Sequence, residues 1–192
     1  MNKALSKMTN EELWTLFPIV LKEHNAHYKT WYDDEASDIQ NYLSDKGISR
    51  INHIGSTAVE GLLSKPTVDI LLEIKRDAAM SDVMTLLCQN GWTLMKFQMT
   101  PFLSYAFNKG YNNDGFAEKV YHLHMRSSGD WDELYFRDYL IDHPEVIVAY
   151  SHLKQDLLAL HKNNRDAYTE AKTAFVKHFT TKAREAYGRR YK

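Results

Sequence analysis

Residues 53–71 read His53-Ile54-Gly55-Ser56-Thr57-Ala58-Val59-Glu60-Gly61-Leu62-Leu63-Ser64-Lys65-Pro66-Thr67-Val68-Asp69-Ile70-Leu71. The order is a strand, a Gly-Ser turn, an irregular connection and a second strand that opens with a carboxylate. Such a layout suits phosphate. Gly55 lets backbone approach a ligand, Ser56 and Thr57 offer hydroxyls beside their N–H groups, and Lys65 adds a cation on the same connection. Asp69 stands among Val, Ile and Leu, so burial there demands a partner or a function. A metal is one such partner, because Mg²⁺ favours hard oxygen ligands together with substrate phosphates. The same residues also fit a plain tight turn, with Ser56 as a helix cap and Asp69 in an internal ion pair.

Working outward, strands are expected over 48–54, 67–74, 92–97, 102–108 and 119–125, which gives a mixed sheet of four or five. Thr9 and Glu12 form a capping box ahead of a short helix that Pro18 ends. From Asn25 as N-cap, Tyr28, Tyr32, Ala36, Ile39 and Leu43 make one buried helical stripe opposite an acidic face. A further helix covers 81–89, where the single cysteine, Cys88, is expected to pack as a small hydrophobe. Asp130 and Glu133 read as a second capping box. Helices over 131–141, 144–161 and 164–187 follow, and apolar stripes on the last two require an apolar surface beneath them. The expected architecture is α+β, a single domain over 1–192 with a helical C-terminal part from about 130.

The 192 residues are 44% hydrophobic and 26% charged, ordinary globular composition that excludes a disordered or fibrous chain. Lys and Arg number 24 against 25 Asp and Glu, so no whole-molecule field draws in nucleic acid or an anionic membrane. One cysteine permits no internal disulfide, no apolar run reaches a membrane span, and MNKALSKMTNEELW turns acidic before a signal-peptide core forms. A cytoplasmic location is expected. Residues 162–192 carry nine Lys or Arg against Asp166, Glu170 and Glu185. Without an aromatic platform or RNA-binding motif, this reads as a charged face balancing the acidic helix at 33–38, not as a nucleic-acid surface.

His122 and His124 alternate in Tyr121-His122-Leu123-His124-Met125, so both imidazoles leave one strand face ~7 Å apart at Cα. Acid–base catalysis, phosphate binding and ligation of a softer metal are all open to such a pair. Arg126 follows the strand. Arg137 precedes Asp138 on a helix, where adjacent residues face different ways and need not neutralise each other. Both arginines suit a phosphate fork. Lys154 and Lys172 are weaker candidates of the same kind.

The run HIGSTAVEGLLSKPTVDILLEI, with YHLHM, FRDYLIDHPEV and YSHLK later in the chain, resembles the GrpB-like family, whose fold is that of nucleotidyltransferases. The resemblance runs from about Pro18 to the C-terminal helix. It implies that Gly55 and Ser56 meet phosphate, with Thr57 beside them, and that Asp69 holds Mg²⁺ or Mn²⁺ in company with a nucleotide. Asp69, His122 and His124 would be catalytic, with Lys65, Arg126 and Arg137 on the substrate. The implied partners are a nucleoside triphosphate and a small acceptor that receives the nucleotidyl group. The superfamily's second carboxylate falls at Leu71 and is missing, while Glu73 lies ~13 Å from Asp69 by strand rise, too far to share an ion. A non-catalytic module for nucleotide or another phosphate ligand is the competing expectation, and a hydrolase dominated by the two histidines is a third.

Overall fold

The computed structural model describes residues 3–162 and 164–192. Helices α1 (Asn10–Leu16) and α2 (His27–Tyr42) lead into strand β1 (Ile48–Ile54), and β2 (Val68–Ile74) follows the long connection. Then come α3 (Met80–Gln89), β3 (Thr93–Gln98), β4 (Ser104–Asn112) and β5 (Gly115–Ser127). The chain ends in α4 (Asp132–Asp142), α5 (Pro144–His161), α6 (Arg165–Ala171) and α7 (Thr173–Tyr187). Five strands form one mixed sheet in the order β1-β2-β5-β4-β3. Only β2 and β5 run parallel.

Alternation along β2 decides how the layers stack. Val68, Ile70, Leu72 and Ile74 join Leu123 and Met125 of β5 under Ile39 of α2, its C-cap Leu43, and Val83 and Leu87 of α3. The opposite face presents Asp69, Leu71 and Glu73, and here the helical C-terminal part packs. Leu71 meets Ile54 and Leu134, while Val59 and Leu62 of the 55–67 connection lie among Tyr135, Tyr139, Val146 and Tyr150. The connection is therefore clamped between the sheet edge and α4 and α5. Among the described residues no helix is long and apolar enough to cross a membrane.

Several local expectations are corrected. The Thr9–Glu12 capping box forms, but Asn25 is not the cap of α2: Ala26 holds that position, and Asn25 accepts from the His27 N–H at 3.0 Å. Asp130 and Glu133 do not cap α4. Asp130 accepts from the Tyr135 hydroxyl at 2.7 Å and from Arg184 at 2.9 Å, and Glu133 holds Arg126. Guanidinium donors outcompete backbone N–H groups for a carboxylate. The last helix is interrupted at Lys172, and Cys88 is exposed. The β4–β5 hairpin runs on to Asn112 and Gly115, since Asn113-Asp114-Gly115 supplies the turn beyond the expected strand ends. Nor do the C-terminal basic residues balance α2. Lys109 and Lys119 hold Glu35 and Asp34 there, whereas Arg184 and Arg190 pair with Asp130, Asp132 and Asp138.

Candidate functional site

Ile54 pairs with Asp69 across β1 and β2, so the turn after Ile54 passes directly over the carboxylate. Gly55 sits at φ +71°, and a Cβ there would run into the Asp69 side chain, with Asp69 Cβ and Cγ each only 3.0 Å away. Glycine is thus required twice, for the backbone and for the close approach. On its other side Asp69 pairs with His122 and Leu71 with His124. Asp69, His122 and His124 therefore share one sheet face. Asp69 and His124 border a cleft of about 700 Å³ that also includes Gly55, Tyr150 and Lys172, and His122 stands behind Asp69.

His122 Nδ1 lies 3.2 Å from Asp69 Oδ1 and its Nε2 lies 2.7 Å from the Tyr111 hydroxyl, which also accepts from Arg165 at 3.2 Å. A guanidinium only donates, so in the neutral state the phenol proton goes to Nε2 and Nδ1–H donates to Asp69. Asp69 is held below the usual carboxylate range against the opposing effect of burial, which is the largest influence; the hydrogen bond from His122 and the charges of His122, His124 and Lys65 overcome it. Burial is also the largest influence on His124 and lowers its pKa, with Asp69 opposing.

Cations outnumber carboxylates around this centre. Lys154 of α5 is 2% exposed. Its ammonium donates to Ser56 Oγ and to the Leu63 carbonyl, both at 2.7 Å, above the Tyr150 ring. Burial, then Lys172 and Lys65, drives its pKa well below the usual lysine value. Lys65 is pushed down to about 8 by burial, Arg165 and Lys172, and Lys172 is lowered by burial and Arg165. In all three cases the opposing anion is Asp69. None of these lysines, nor Arg165, forms a salt bridge among the described residues. Their like charges add to the effect of burial in lowering these lysine pKa values.

Other expected site residues fall elsewhere. Thr57 is 2% exposed, and its hydroxyl donates to the Thr67 carbonyl at 3.1 Å and meets His53 Nε2 at 3.0 Å. It ties the connection together. Arg126 forms a two-pronged pair with Glu133 at 2.6 and 3.0 Å, over the packed rings of Phe102 and Trp131. Arg137 is drawn away from Asp69. Its guanidinium donates to the His53 carbonyl, to Tyr191 and, against the expectation from adjacent helix positions, twice to Asp138. The long side chain simply folds back along the helix. It lines a separate hollow with His53 and Thr57. Glu73 is 0% exposed and holds Arg50 at 2.7 Å twice, plus the Gly129 N–H at 3.0 Å. It is a structural carboxylate.

Sequence reading passed over Tyr111 and Arg165 and ranked Lys154 too low. Tyr111 lies beyond the expected end of its strand. Lys154 had a usable signal: it sits between Tyr150 and Leu157 on a buried stripe, where a cation needs partners.

Two half-buried imidazoles with lowered pKa values set an acid limit on stability. His53, stacked on Tyr32 at 4.8 Å, is lowered to about 4, chiefly by burial. Below about pH 6.5 the unfolded chain binds protons that the folded His53 and His124 refuse, so stability falls as pH drops toward 4. Urea midpoints across that interval are expected to decline. His53→Phe, which keeps the stack on Tyr32, should flatten part of the slope, and an unchanged slope would show that this histidine is not responsible.

The model of the GrpB protein family matches residues 18–182. The chain belongs to the GrpB family. The Bacillus subtilis protein YqkA is 29% identical over 157 residues, covering 80% of this chain but only 44% of YqkA. The glutamate-rich protein GrpB of Alkalihalophilus pseudofirmus is 28% identical over 163 residues, 82% of this chain and 91% of its own. Among solved structures, the conserved protein GrpB from Enterococcus faecalis superposes with TM-score 0.73 at 24% identity, covering 88% of this chain and 99% of that one. That GrpB likeness concerns the fold.

Proposed function

We propose that the Asp69 cleft binds the polyphosphate of a nucleoside triphosphate and transfers the nucleotidyl group to a small acceptor. One observation carries the reading: Lys65, Lys154 and Lys172 lie near one another and near Asp69, with Arg165 beside Lys65 and Lys172, and none of the four forms a salt bridge among the described residues. In this reading the lysines and Arg165 hold phosphate oxygens, with the Gly55–Ser56 turn against them. His124, kept neutral by burial, takes the acceptor's hydroxyl proton, and Asp69 stabilises the imidazolium that forms. The acceptor oxygen bonds to the α-phosphorus as the bond to the β-phosphate breaks, and pyrophosphate leaves into the same field of cations.

Mg²⁺ or Mn²⁺ fits this site only in company with phosphate. Both nitrogens of His122 are engaged, Leu71 offers no ligand, and among the described residues no trio of His, Cys, Asp or Glu is placed to hold an ion. Asp69 would be its protein ligand; when bound, the ion supplies charge neutralisation on the phosphates.

A second reading, binding without turnover, is favoured by Leu71, which is 0% exposed where a second carboxylate would stand. Thermal shift with each nucleoside triphosphate and Mg²⁺, followed by pyrophosphate release with a panel of hydroxylated acceptors, separates the two. Transfer requires both a raised Tm and release. A raised Tm with no release from any pair establishes the binding module.

A further inference from the structure

We propose that the hollow walled by Phe17, Trp31 and Phe116, next to the cleft, takes the base and ribose of the triphosphate. This rests on the reading of the cleft as a polyphosphate site and adds where the rest of the ligand goes. The hollow measures about 500 Å³ and is lined mainly by apolar and aromatic side chains, the size and character of a small-molecule pocket. Lys65 and Arg165, two of the four cations near Asp69, also line it. Phosphates resting on them therefore leave their organic substituent facing this wall.

Side chains link the hollow to the Asp69 pair. Phe17 and Phe116 pack at 5.0 Å, and Tyr111 meets them edge-on at 4.9 and 5.3 Å. The hydroxyl of that same Tyr111 bonds His122 and Arg165. An aromatic wall and the Asp69–His122 pair are thus one connected structure. Phe116 and Val20 remain 40% and 38% exposed at this hollow, apolar surface with a planar ring as its natural cover. The cleft's other arm is different: Thr169, Thr173, Thr180 and Thr181 with Lys177 and Arg184 line it. Hydroxyls and charges suit a polar acceptor, which leaves the aromatic hollow to the base.

Calorimetry with ATP, GTP, CTP, UTP and inorganic tripolyphosphate, each with Mg²⁺, tests the assignment on the full chain. At least one nucleotide is expected to bind roughly tenfold or more tighter than tripolyphosphate, within what one base stacked on an aromatic ring provides. Phe116→Ala, and independently Val20→Trp to fill the hollow from an exposed position, should close that gap while leaving tripolyphosphate binding unchanged. Equal affinities in the wild type, or a gap that both variants preserve, overturn the inference and leave the phosphate reading intact. Failure of tripolyphosphate and all four nucleotides to bind removes the phosphate reading and this inference with it.

Discussion

Asp69→Asn will reduce pyrophosphate release by roughly 10²–10⁴-fold, the span associated with losing a group that assists proton transfer, while the protein stays folded. Asn keeps an oxygen that accepts from His122 Nδ1, so stability should fall only by about 1–2 kcal/mol, the difference between a charged and a neutral acceptor. Two consequences separate the loss of charge from a loss of shape. Metal-free tripolyphosphate should bind the variant at least as well as the wild type, because a negative charge facing the phosphates is gone. Any Mg²⁺-dependent gain in nucleotide affinity should disappear with it. Stopped turnover together with lost tripolyphosphate binding would instead mean that the substitution collapsed the cleft. Turnover near the wild-type rate would remove Asp69 from the chemistry.

Asp69 and Glu73 share a strand face, yet only one belongs to the cleft, and their surroundings say why. Glu73 is matched by Arg50 and the Gly129 N–H, a buried carboxylate with its acceptors filled. Asp69 has one histidine and a surplus of unpaired cations. From sequence, both looked like carboxylates on a buried strand. What differs is supplied largely by other elements, Arg50 of β1 and Gly129 for Glu73 and His122 of β5 for Asp69.

That contrast marks how far the sequence could be read. Period-two alternation in β2 and β5 depends only on neighbours in the chain, so the two faces of the sheet, the placement of His122 with His124 and the demand on Asp69 were legible. At Gly55 a close approach was legible, but the expected neighbour was a ligand, and the structure puts the Asp69 side chain there. The cation cluster was not. Lys154, Arg165 and Lys172 reach Asp69 only because α5 and α6 pack beside the 55–67 connection, and no local pattern encodes that packing. Arg137 failed for the converse reason: Asp138, Tyr191 and the His53 carbonyl compete for its guanidinium, and a helical position does not reveal competitors from other elements.

Replacing Lys65 and Lys172 together by Met should separate function from stability. Each cation carries a lowered pKa and no carboxylate partner. Below the unfolded lysine value of about 10.5 the unfolded chain therefore holds protons more readily than the folded one, so at neutral pH these charges work against folding. Met keeps most of the stem's apolar packing and removes the charge. Lys65→Met/Lys172→Met should consequently raise the Tm of the ligand-free protein. Its affinity for tripolyphosphate should drop by roughly 100-fold or more, two charge-assisted phosphate contacts at about 1.5–3 kcal/mol each. Wild-type binding should also weaken as salt is added.

Calorimetric titration of tripolyphosphate into the wild type and this double variant at neutral pH is the most direct test of the cleft as an anion site. Saturable binding by the wild type, weakened at least 100-fold in a variant whose Tm is equal or higher, is the predicted result; no saturable binding by the wild type, or equal affinity in both proteins, would contradict it.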